Sequence, residues 1–138
     1  MFDGIDKIDW QKLRVPDAPK WIQGLVSENT AFRDESFDEI RDTYIYERPD
    51  FAKYIVPYII EIIGQNHANA DIPLLLEFLK SLRVSIIRFI STDVAMVESQ
   101  FIKSKIDSSI EIYKKHLSSN NSETRDAAKS LIKDIENS

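Results

Sequence analysis

The segment WIQGLVSENTAFRDESFDEI (residues 21–40) repeats its pattern in YKKHLSSNNSETRDAAKSLI (residues 113–132). Leu25 recurs as Leu117, Ser27 as Ser119, Asn29 as Asn121, Arg33 as Arg125, Asp34 as Asp126 and Ile40 as Ile132. Each copy reads as a helix, a polar turn and a second helix. Helix pairs repeated along a chain bury their apolar faces only against neighbouring pairs, so the pattern points to an all-α fold of the α-solenoid type.

Working outward from the first copy, Asp17 is placed to cap a helix with Pro19 in its first turn, and Trp21, Ile22, Leu25 and Val26 supply its apolar face. Thr30 is read as the cap of the next helix, which is expected to run to about Tyr44. Upstream, Ile5, Ile8, Trp10 and Leu13 suggest a short helix that lids the first pair. Downstream, YERPD (residues 46–50) breaks the chain, because a residue before proline is driven out of the α region.

A helix over residues 50–64 follows, apolar on more than one side, with Pro57 expected to kink it. Pro57 stands 38 residues after Pro19, and the same offset carries Leu25 to Ile63 and Ile40 to Phe78, which makes a middle pair. Its second helix is expected to start at Asp71 and run to about Arg88 or Ile90. Glu77, Lys80, Arg83 and Arg88 interrupt that stretch and argue for a buried helix rather than a membrane span. The apolar spacing then continues over residues 93–118, either as one helix or with a break near Ser99. Ser122 is read as the cap of the last helix. Ala128, Leu131, Ile132 and Ile135 face inward on it, while Lys129, Lys133 and Asp134 face solvent.

Composition narrows the function classes. With 138 residues, 43% hydrophobic and 30% charged, the chain has the makeup of one soluble domain. It has no cysteine, which excludes disulfides, thiolate nucleophiles and cysteine-ligated metals. Three glycines and five prolines are too few for a turn-rich β fold. The N-terminal MFDGIDKIDW lacks the apolar run of a signal peptide, so the expected setting is the cytoplasm.

The two repeat copies, together with IVPYIIEII (residues 55–63) and its internal proline, resemble HEAT-repeat proteins of the armadillo-like superfamily. IDWQKL (residues 8–13) followed by FAKYIVPYIIEIIG (residues 51–64) is similar to a group of small bacterial HEAT-like proteins. Where that group often has a glutamine-glycine turn, this chain has Tyr46, Glu47, Arg48 and Pro49. The resemblance implies about three helix pairs and a binding scaffold, and some small bacterial HEAT-like proteins are suspected antitoxin or immunity partners.

The net charge of -5 arises entirely within residues 28–50, since residues 1–27 hold four acids and four bases and residues 51–138 hold eleven of each. Glu35, Asp38, Glu39 and Asp42 fall within an arc of about 100° on a helical wheel, opposite Phe37, Ile40 and Tyr44. Their like-charge pairs at i, i+4 each cost a few tenths of a kcal/mol, which a role in binding a basic protein would explain. Favourable charge at a helix start explains Asp34 and Glu35 without any such role, but not Asp42. A nucleic-acid-binding or DNA-repair module is the competing reading, and Arg48, Lys53, Lys80, Arg83 and Arg88 are its candidate cations. No cofactor or metal is expected, and the carboxylates lack the loop spacing of a calcium site. His67 and His116 read as surface residues without catalytic partners. The paired arginines Arg33 and Arg125 read as bridges between turns or helix ends. The expectation is a non-enzymatic protein.

Overall fold

The computed structural model describes residues 2–43, 51–89 and 93–138, with the side chains of residues 87–89 and 93–98 excepted. Among the described residues there are seven α-helices: α1 (Ala18–Gly24), α2 (Thr30–Asp42), α3 (Ala52–Gln65), α4 (Ile72–Phe89), α5 (Asp93–Ser108), α6 (Ile110–Lys114) and α7 (Ser122–Glu136). Short 3-10 turns cover Ile5–Lys7 and Lys115–Ser118. The described residues contain no strand, so the fold is all-α, and no helix among them is long and apolar enough to cross a membrane.

The helices associate in chain order. α1 packs on α2, α3 on α4, and α6 with its following 3-10 turn on α7. Contacts between pairs run from α1 to α3, from α3 to α6 and from α4 to α7, the last being the most extensive. The rings of Phe37 on α2 and Phe78 on α4 meet edge to face at 5.4 Å. α5 lies outside this alternation and packs against α3 and α4.

α3 is the centre of the core. Ile55, Val56, Tyr58, Ile59, Ile60, Ile62 and Ile63 are all buried, which requires cover on more than one side, as the sequence implied. Each such side chain withdrawn from water contributes about 1.5–3 kcal/mol. The helix continues through Pro57, which has no N–H of its own to add to the helical ladder. At the α1–α2 crossing, Gly24 lies so close to Ser36 that a methyl group there would overlap the serine Oγ.

Several boundaries differ from expectation. The N-terminal lid is not a helix beyond Ile5–Lys7, yet Phe2, Ile5, Trp10 and Val15 are buried. Trp10 Nε1–H donates to the Ile5 carbonyl at 2.8 Å, and its ring meets Phe51 edge-on at 6.5 Å. Tyr44 and the YERPD segment fall outside the described residues. Residues 93–118 form neither one helix nor a pair broken near Ser99: α5 runs through Ser99 to Ser108, and the break falls at Ser109. There the Ser108 and Ser109 hydroxyls both donate to the Lys105 carbonyl, at 3.3 and 2.9 Å, competing with the helical ladder. The buried Tyr113 hydroxyl then donates to the Ile106 carbonyl at 2.8 Å, so the interruption leaves that acceptor satisfied.

The caps are displaced by one residue. Asn29 rather than Thr30 caps α2, its Oδ1 accepting from the Phe32 N–H at 3.1 Å. Asn121 rather than Ser122 caps α7, accepting from the N–H groups of Glu123 at 2.8 Å and Thr124 at 3.2 Å. In both copies the preceding serine, Ser27 or Ser119, accepts from the asparagine N–H. The repeated serine and asparagine are therefore a turn-and-cap device, in which side-chain oxygens take up donors that the helix start leaves free. Asp71 also acts as expected, accepting from the Leu74 N–H at 3.2 Å.

Candidate functional site

α2 presents the acidic face. Phe37 and Ile40 turn inward and are buried, which leaves Glu35, Asp38, Glu39 and Asp42 exposed on the opposite side. The four carboxylates are not equivalent. Arg41 Nη2 lies 3.3 Å from both Asp38 Oδ1 and Asp42 Oδ1, with its guanidinium 5.8 Å from the Phe37 ring centre. Glu35 and Glu39 have no ion-pair partner among the described residues. They line a cavity of about 200 Å³ between α1 and α2, together with Asp17, Lys20, Trp21 and Phe32. Lys20 Nζ stands 5.9 Å from the centre of the Phe32 ring. Ser36, also in the lining, is buried with its hydroxyl unpartnered among the described residues.

Arg33, on the same helix, reaches the neighbouring turn and donates from Nη1 to the Asn69 carbonyl at 2.5 Å. Arg125 instead donates to the Ser119 carbonyl of its own turn, at 2.7 Å. Both therefore serve turns, as their position suggested.

The second concentration of charge lies inside the protein. Arg83 is 0% exposed and is held by α5, α7 and Ser138. Its Nε–H donates to Asp107 Oδ1 at 2.7 Å, its Nη1 donates to Asp134 Oδ2 at 2.8 Å and to the Asp134 carbonyl at 3.1 Å, and its Nη2 donates to Ser138 Oγ. Lys103 adds a bond to Asp107 at 2.8 Å. Burial pushes the Asp107 carboxyl up, but hydrogen bonds from Arg83 and Lys103 outweigh it and hold the group below the ordinary aspartate value. The same balance raises the Arg83 guanidinium above its usual value, against the pull of burial.

This cluster corrects two expectations. Arg83 is not available to a basic patch, and Asp134 does not simply face solvent. Of the other candidate cations, Lys80 donates to Ser130 Oγ at 2.7 Å, and Lys53 stacks 5.7 Å from the rings of Tyr54 and Phe101. Arg48 and the Arg88 side chain lie outside what is described. His116 is a third correction: it is 5% exposed, not a surface residue, and its Nε2 lies 2.8 Å from the Ile63 carbonyl oxygen. His67 is partly buried in its turn, where Nδ1 accepts from the Asn69 N–H at 3.2 Å.

Beside Lys80, an open cleft of about 930 Å³ separates the outer surfaces of α4 and α7, with Glu77, Val84, Glu123 and Asp126 in its walls. No group of three or more histidine, aspartate or glutamate side chains suited to a metal ion occurs among the described residues.

Sequence reasoning located the four carboxylates but missed Arg41, which its i, i+3 spacing from Asp38 made legible. It also missed that Trp21 and Phe32 line a cavity beside the glutamates, which depends on the packing of α1 against α2. No protein family, curated protein or solved structure matches this chain.

Proposed function

We propose that the chain is a non-enzymatic scaffold, an α-solenoid of about three HEAT-like helix pairs, that binds a basic protein through Glu35, Asp38, Glu39 and Asp42. An immunity or antitoxin role in the cytoplasm is its sharpest form. Exposure of all four carboxylates on one face of α2, while that helix is anchored by Phe37 and Ile40, is the observation that carries the reading. The sequential association of α1 with α2, α3 with α4 and α6 with α7 supports the solenoid part. Such a face draws a cationic partner by long-range attraction and loses it as salt screens the field.

The test is charge reversal. Asp38→Lys with Asp42→Lys is expected to abolish capture of a basic protein partner at low salt while leaving the circular dichroism spectrum and melting temperature unchanged. Equal capture by both proteins rejects the proposal. The competing nucleic-acid reading has lost Arg83 from its candidate cations, and gel-shift titration at two salt concentrations decides it, because phosphate binding weakens steeply with salt.

A further inference from the structure

We infer that residues 2–15 are an exchangeable strap: they lie on a docking stripe of α3 that the same segment of a second copy fits, so that two chains pair by swapping their N-terminal segments. The inference does not depend on the acidic face of α2.

The stripe is the first ground. Phe51, at the N-cap of α3, is followed by Tyr54, Tyr58 and Glu61 at intervals of three, four and three residues, which puts all four on one face of the helix. Each of them meets the strap. The Trp10 ring lies edge-on to Phe51 at 6.5 Å and to Tyr54 at 6.3 Å, and the Phe2 ring lies edge-on to Tyr58 at 5.9 Å. The Phe2 N–H donates to both carboxylate oxygens of Glu61, at 3.1 and 3.2 Å. Trp10 thus sits over the start of α3 and Phe2 further along it, so the segment runs against the direction of the helix. None of these contacts depends on which chain supplies the segment.

The hinge is the second ground. Arg14 is exposed, yet its φ of 63° is left-handed, a conformation that a residue with a side chain adopts only at a cost. It joins the strap to Val15, whose carbonyl accepts from the Ala18 N–H at the start of α1. Docking the strap on its own chain therefore stores strain at Arg14, which an extended backbone at that residue relieves. Extension gives up the bond from the Val15 N–H to the Trp10 carbonyl at 2.9 Å, and water is a ready substitute partner. Residues 2–13 then span up to about 40 Å, enough to cross to a second copy.

The third ground is that the strap has little structure of its own. Its regular part is one 3-10 turn, Ile5–Lys7, while Phe2, Ile5 and Trp10 are buried against the rest of the chain. Such a segment is ordered by docking and lifts as a unit. The aromatic stripe it bares is unfavourable to leave in water, and the strap of another copy covers it with the contacts already described. Tethering gives the chain's own strap the advantage in dilute solution, so exchange is governed by concentration and by the hinge.

The test is made at the hinge. Proline fixes φ at about −65°, so Arg14→Pro forbids the left-handed turn and is expected to expel the strap from its own chain while leaving every docking contact available. Sedimentation of the full chain at micromolar concentration is expected to give a monomer for the wild type and for Arg14→Ala, and a dimer for Arg14→Pro. In that dimer the Trp10 indole resonance is expected to keep its wild-type position in nitrogen–proton correlation spectra, because its bond to the Ile5 carbonyl lies within the strap and travels with it. Adding Trp10→Ala to Arg14→Pro is expected to weaken the dimer about tenfold or more, since it removes the ring that meets Phe51 and Tyr54. A monomeric Arg14→Pro overturns the exchange, whether its strap is free or docked. A dimer in which the Trp10 resonance moves, or one that survives Trp10→Ala undiminished, overturns it as well. Helical circular dichroism is expected to be retained throughout; its loss in any variant makes the strap a fixed part of the core and rejects the inference.

Discussion

The two copies of the repeat begin alike and end differently. Ser27 and Asn29 build the same turn and cap as Ser119 and Asn121, with matching donors and acceptors. Beyond the turn the equivalence fails. Leu25 is 2% exposed, while its counterpart Leu117 is 42% exposed. Arg33 reaches a neighbouring turn, while Arg125 folds back on its own. The offset that carries Leu25 to Leu117 also carries Asp42 to Asp134; Asp42 is on the surface beside Arg41, and Asp134 grips the buried Arg83. The repeated residues therefore encode a local device, and position in the stack decides what each copy does with it.

The sharpest way to break the comparison is at its aspartates. Asp134→Ala is expected to destabilise the protein by about 3 kcal/mol or more, because it strips a partner from a fully buried guanidinium, whereas Asp42→Ala is expected to stay within about 0.5 kcal/mol. Urea unfolding of the two variants checks this, and equal effects would mean that Arg83 is not buried in solution.

Next in size are the leucines. Leu25→Ala is expected to cost about 2–5 kcal/mol and Leu117→Ala less than about 0.5 kcal/mol, read from the same unfolding curves.

Acid titration sharpens the contrast from another side. The Asp107 carboxyl titrates below its unfolded value in the native protein, so its contribution is present above that unfolded value and is lost as pH falls through the native one. Stability is therefore expected to drop as pH decreases below about 4, with Asp107→Asn showing a shallower drop in a pH-dependent melting series.

Smaller still, Arg33→Ala is expected to cost about 1–2 kcal/mol and Arg125→Ala less than about 0.5 kcal/mol, since only Arg33 joins two turns. The smallest difference is expected at the caps. Asn29→Ala and Asn121→Ala should each cost about 1 kcal/mol and agree within error, because the local geometry is shared.

Much of this arrangement was legible in the residues. The helix pairs follow from apolar spacing, the inward face of α7 from Ala128, Leu131 and Ile132, and the many-sided burial of α3 from its run of isoleucines. What was hidden depended on partners distant in sequence. Arg83 reads as a surface charge within an apolar helix, and only the approach of residues 107, 134 and 138 makes it a core residue. His116 is buried for the same kind of reason, since its acceptor is Ile63. The break at Ser109 needed a choice among several serines, and the decision is made by two hydroxyls competing for one carbonyl. On α2 the carboxylates were visible by periodicity, but their division into a pair tied by Arg41 and a pair beside Trp21 required the packing of α1.

The arginine cluster also sets a timetable for the nascent chain. Asp107 follows Arg83 by 24 residues, but Asp134 follows it by 51, so at about 5–20 residues per second the ribosome delivers the second counter-charge several seconds after the guanidinium. During that interval α4 has no complete shelter to enter. The surroundings of Arg83 are completed only once residue 134 has emerged.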